Sequence, residues 1–104
     1  MNLRISVAAA LAVLSAASTA QAHYPVCECR MVDARTVQCT GGFSDGSKAA
    51  GVVLDVIAYD EQVLVKGKLG PDSTLSFARP EQDFYVLFDA GPGHTVEIEH
   101  SAIK

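Results

Sequence analysis

The side chains with the greatest chemical capacity fall into two sets. The first is sulfur: Cys27-Glu28-Cys29-Arg30-Met31 carries three sulfur atoms at alternate positions, and Cys39 follows a short stretch later. Thiolates and a thioether are soft, polarizable donors that suit Cu(I), whereas magnesium and calcium select oxygen ligands. The second set is the three histidines, His23, His94 and His100. As the first residue of a processed chain, His23 would offer a free amine and an imidazole to one ion, and both groups deprotonate near neutrality. His94 or His100 would complete a nitrogen-rich set for Cu(II) or Ni(II).

Each set also has a plainer reading. An exported compartment permits disulfides, and a Cys29–Cys39 bond would close a short loop worth about 3 kcal/mol, with Cys27 left over. A disulfide with a spare thiol and a thiolate metal or redox-responsive site are both open on the sequence alone. The histidines can equally be solvated surface groups. The acidic residues are spread over turns and strand exteriors, and neither a nucleophile elbow, a phosphate-binding glycine loop nor a zinc-protease helix occurs. The reading is therefore a non-enzymatic chain.

The positions of these residues depend first on the amino terminus. Met1-Asn2-Leu3-Arg4 is a short basic region, Val7 to Leu14 is unbroken apolar sequence, and Ala20-Gln21-Ala22 is a small-x-small cleavage site. Together they read as a secretory signal peptide over residues 1–22, too short in its apolar run to span a bilayer. The expected mature chain is 23–104, a single domain of the periplasm that begins at His23. The full sequence has 104 residues, 8 Lys+Arg against 12 Asp+Glu and a formal charge of -4. Without a basic run, phosphate tracking along a nucleic acid is excluded. So small a domain buries little surface, which makes a disulfide or a metal matter for stability.

Downstream the pattern is β throughout. Pro25 to Val32 alternates with period two, Asp33-Ala34-Arg35 is a turn, and Thr36 to Thr40 returns before Gly41-Gly42 interrupts the pattern. A three-residue turn pairs Thr36 with Val32, Val37 with Met31 and Cys39 with Cys29. That register unites all four sulfur residues. Further strands are expected at Val52–Tyr59, Gln62–Leu69, Thr74–Phe77, Phe84–Asp89 and His94–His100, separated by Gly, Pro and Asp turns. In the last, His94, Val96, Ile98 and His100 share one parity, and Glu97 and Glu99 take the other face. About seven strands without an amphipathic helix make a small antiparallel β-sandwich, transthyretin-like or immunoglobulin-like.

The stretch Phe43-Ser44-Asp45-Gly46-Ser47-Lys48-Ala49-Ala50-Gly51 followed by a strand and hairpin, with Val86-Leu87-Phe88-Asp89-Ala90-Gly91-Pro92-Gly93-His94 later, resembles carboxypeptidase-regulatory-like, transthyretin-like domains. It is most similar to small periplasmic accessory proteins of nickel or cobalt uptake transporters, which also begin with histidine after export. The resemblance implies a β-sandwich and a metal role for His23 and His94, with nickel or cobalt as the ion. The sulfur set of Cys27, Cys29, Met31 and Cys39 departs from that pattern and favours copper. The expectation is a metal-binding protein in delivery or homeostasis, with a metal transporter or envelope metalloprotein as partner and a homodimer as one assembly. The alternative is a disulfide-stapled interaction module of the envelope, in which exposed strand edges accept a partner strand.

Overall fold

The computed structural model describes residues 23–104, and the signal-peptide reading of 1–22 lies outside the described residues. Among the described residues, seven strands alternate with short turns: β1 (Pro25–Met31), β2 (Thr36–Phe43), β3 (Val53–Ala58), β4 (Val63–Lys68), β5 (Thr74–Ala78), β6 (Phe84–Asp89) and β7 (Thr95–Glu99), followed by a 3-10 turn at His100–Ala102. Their β-branched and aromatic content suits a pleated, half-buried surface, and Asp, Gly and Pro interrupt it at each turn. All pairings are antiparallel. One sheet has the order β1-β2-β5 and the other β4-β3-β6-β7. The order is that of an immunoglobulin-like sandwich in which β4 pairs with β3 instead of β5.

Alternation places one face of each strand in the core. Val37, Cys39 and Phe77 enter from the three-stranded sheet, and Leu54, Val56, Phe84, Val86 and Phe88 from the four-stranded one. β2 continues through Gly41-Gly42 to Phe43, where the sequence suggested a break. The reason is packing: a Cβ on Gly41 would stand 2.7 Å from Leu69 and 2.8 Å from Phe88. Glycine here lets the opposite sheet approach, and the strand does not turn.

The connections sort the molecule into two ends. At one end lie the start of β1 and the β2–β3, β4–β5 and β6–β7 links. They are tied together by Gly41 N donating to the Ser73 carbonyl (3.0 Å), Ala49 N to Ser73 Oγ (2.9 Å) and Gly51 N to the Leu69 carbonyl (2.8 Å). Ser73 is buried and has φ 66°. At the other end lie the remaining turns and the carboxyl terminus, where Met31 N donates to the Lys104 carbonyl (3.2 Å) and Ile103 enters the core.

Candidate metal centre

Cys27, Cys29 and Met31 occupy the inward face of β1, half-buried against the core, while Cys39 on β2 is fully buried. The register pairs Cys29 with Cys39 and Met31 with Val37, as the three-residue turn requires. Val32 N donates to Thr36 O (2.9 Å) and Ser44 N to Tyr24 O (2.8 Å), so the even positions of β1 make the hydrogen-bonded pairs. The odd positions are the closer, non-hydrogen-bonded pairs. Cys29 and Cys39 consequently have Cα atoms 4.0 Å apart and form a disulfide.

That bond decides between the two readings of the sulfur set in the oxidised chain. All four sulfur residues share one face, yet Cys29 and Cys39 bind each other and supply no thiolate. Cys27 is the free cysteine. Burial, reinforced by the adjacent Glu28 carboxylate, pushes its thiol up to about 11. The Met31 thioether is also occupied: Arg79 Nη1 donates to its Sδ at 3.1 Å and to the Ile103 carbonyl at 3.2 Å. Arg79 Nη2 donates to the His100 carbonyl (3.0 Å), and the guanidinium lies 5.5 Å from the Phe84 ring centroid. A fixed positive charge beside Met31 opposes an incoming cation there. Sequence reasoning missed Arg79, because Arg79-Pro80 reads as loop and only the folded carboxyl terminus gives the arginine its acceptors.

The histidines separate by position. His23 Nδ1 is 3.0 Å from Asp45 Oδ2, both groups being well exposed. The β1–β2 register, extended outward through the Tyr24–Ser44 hydrogen bond, sets these two residues opposite each other. This partner was not legible in sequence, because the pairing of His23 with Asp45 needs β2 to continue through Gly41-Gly42. The Asp45 carboxylate accepts from Ser47 Oγ (2.7 Å) and Ser47 N (2.9 Å), and these bonds, with His23 beside them, hold its pKa below the usual value.

His94 does not belong to β7. It closes the Gly91-Pro92-Gly93 turn, where Gly93 takes φ 77°, and its Nδ1 lies 3.0 Å from the Pro92 carbonyl. With Nδ1 donating, Nε2 keeps its lone pair for solvent or an ion. This turn is at the same end as His23. His100 is at the opposite end, in the 3-10 turn. Its Nδ1 is 3.0 Å from the Phe84 carbonyl and its Nε2 3.3 Å from Asp83 Oδ1, while the ring packs against Phe84 and Tyr59. The shared parity read along His94–His100 therefore does not bring the two histidines together: the strand is Thr95–Glu99, and both ends turn away from it.

Among the described residues, no three His, Cys, Asp or Glu side chains converge closely enough to hold an ion. The seven candidate ligands divide into a sulfur row of four inside β1–β2, His23 and His94 at one end, where Asp45 pairs with His23, and His100 packed at the other. A groove of about 390 Å³ runs beside the hairpin, lined by Val26, Cys27, Glu28, Cys29, Arg30 and neighbouring β2 residues. The chain matches no family model, no curated protein and no solved structure.

Proposed function

We propose that the chain is a non-catalytic metal-binding protein of the periplasm, taking a divalent first-row ion at the end of the sandwich that carries His23. The observation that supports this reading is the His23–Asp45 pair at 3.0 Å, on the end that also carries His94. Imidazole and carboxylate suit Cu(II), Ni(II) and Co(II), and the Irving–Williams order favours copper among them. Cleavage after Ala22 would add the His23 amine as a second nitrogen in chelating position. The Pro92 carbonyl orients His94 as an outer-shell acceptor orients a metal-binding imidazole. Delivery or homeostasis follows as the role, and resemblance to nickel and cobalt transporter accessory proteins supports those ions as the alternative cargo.

Native mass spectrometry of the exported protein tests the proposal in one measurement. The expected result is a chain that starts at His23 and takes up one Cu(II), with His23→Ala losing the ion and Asp45→Asn weakening it. An oxidised chain that takes up no divalent ion, or takes it equally well as His23→Ala, overturns the reading.

The stapled hairpin favours a second reading, an interaction module of the cell envelope that docks a transporter or metalloprotein beside β1. Its groove places Glu28 and Arg30 together, so Glu28→Arg with Arg30→Glu would abolish co-purification with a cognate transporter and leave metal uptake intact.

A further inference from the structure

The sulfur row carries an inference that goes beyond the divalent site. We propose that the Cys29–Cys39 disulfide gates a second metal site: once it is reduced by a dithiol, Cys27, Cys29 and Cys39 bind one soft monovalent ion of the Cu(I) class.

Three features of the fold support this gate. The first is spacing. Cys29 and Cys39 face each other with Cα atoms 4.0 Å apart. Cys27 lies two positions along the same strand face, about 6.6 Å from Cys29 along β1. It is diagonal to Cys39, where Cα atoms are about 7–8 Å apart. A disulfide does not form across that diagonal without backbone movement, so Cys27 stays a thiol while the other two oxidise. A metal relaxes this limit. With bonds near the roughly 2.3 Å of a zinc–thiolate, one ion joins sulfurs about 4 Å apart. Gly41 stands opposite Cys27 in the register, and Leu69 and Phe88 fill the space that a side chain there would take, closing the core side of the row.

The second is charge. Two or three thiolates on a monovalent ion make an anionic complex in a half-buried place, which is costly without a counter-charge. Arg79, held at Met31 two positions beyond Cys29 on the same strand face, supplies a fixed cation at that end of the row, outside the ligand set. Met31 remains the acceptor for Arg79, so the ligands are the three cysteines.

The third is access. Cys27 and Cys29 are partly exposed on the edge strand β1, whereas Cys39 is sealed in the core. A dithiol therefore attacks at Cys29 Sγ. One of its thiolates forms a mixed disulfide with Cys29 as the Cys29–Cys39 bond breaks and Cys39 leaves as thiolate. The second thiolate of the reductant then closes its own disulfide and releases Cys29. The reductant loses two electrons and the protein gains them. On binding, the ion displaces the protons of the thiols that ligate it, and its own oxidation state is unchanged.

The test uses the processed chain under anaerobic conditions, either oxidised or reduced with a dithiol that is then removed. Cu(I) is supplied as its complex with a chromophoric chelator, and uptake is read by chelator release and native mass. The expected result is one Cu(I) on the reduced chain and none on the sulfur row of the oxidised chain. Cys27→Ser keeps the staple for folding, and its reduced form should bind more than about tenfold more weakly, since even outer-shell partners carry that much. His23→Ala should leave Cu(I) uptake unchanged, which separates this site from the divalent one. A reduced wild-type chain that takes up no Cu(I), that binds it as tightly after Cys27→Ser, or that loses its amide-exchange protection in the loaded state overturns the proposal.

Discussion

At the scale of single residues, burial and charge give the candidate donors different tasks. Cys27 is the clearest case. Its thiol is desolvated on the inner face of β1 and sits beside Glu28, so its pKa is about 11. At neutral pH it is therefore a poor nucleophile, because only the thiolate reacts. Alkylation of the folded, oxidised chain should be slow at pH 7 and accelerate toward about pH 11, while the urea-unfolded chain reacts from about pH 9. Equal rates in the two states would refute the burial argument. The same shift has a sign for stability: with the folded pKa raised, the fold holds the proton more tightly, so stability is fully present below about pH 9 and falls between there and about pH 11. Arg79 is the other decisive residue. It satisfies two carbonyls and the Met31 sulfur in a half-buried position. Arg79→Leu should cost about 1.5–3 kcal/mol, the range for hydrogen bonds to a charged group, and should release Met31 and Ile103 amides to faster exchange. An unchanged urea midpoint would show that Ile103 packing and the Met31–Lys104 backbone bond hold the carboxyl-terminal strap without Arg79.

At the scale of elements, the β1–β2 hairpin is the unit on which most of the chemistry rests. Its register is fixed twice, by the Asp33 turn, in which Arg35 N donates to the Asp33 carboxylate (2.8 Å), and by the disulfide. A staple with sequence separation 10 limits the unfolded chain by about 3 kcal/mol in the loop-entropy account. The Cys29→Ser/Cys39→Ser double variant should therefore lose about 2–3 kcal/mol by urea unfolding. A loss below about 0.5 kcal/mol would mean that strand pairing alone fixes the hairpin. Much of this element was legible in sequence. Period-two alternation gave both strands, and the three-residue turn gave the Cys29–Cys39 pairing. The continuation of β2 through Gly41 was not legible, because a glycine that admits Leu69 and Phe88 from the facing sheet looks locally like a glycine that breaks a strand. His94 and His100 were misplaced for a related reason: alternation continues on paper past the point where the turn and the carboxyl-terminal strap redirect the backbone.

For the whole molecule, one device recurs at the turns. Asp33, Asp45, Asp60, Asp72 and Asp89 each accept from the backbone N–H two residues on. The sequence places these aspartates in turns, and the structure shows their carboxylates acting there as acceptors. Hydrogen bonding lowers the pKa of Asp33, Asp45 and Asp72 from 3.8. Depressed carboxylate pKa values contribute stability that is present above the unfolded pKa and lost as pH falls through the folded ones. The urea midpoint should thus fall as pH drops below the unfolded value of 3.8, and Asp33→Asn with Asp72→Asn should flatten that decline while preserving the turns. A decline of equal steepness in the double variant would assign the acid sensitivity to other groups.

The sequence by itself determined the β class, the hairpin register and the gathering of four sulfur residues on one strand face, because alternation and turn chemistry are local properties of the chain. Tertiary structure decided what those residues are free to do. Packing against the second sheet put the sulfur row inside, which sealed Cys39 in the core and desolvated Cys27. The carboxyl-terminal strap placed Arg79 on Met31, and the order of connections set His23 and His94 at one end with His100 at the other. Such outcomes depend on contacts between residues far apart in the chain, which no local pattern of side chains records.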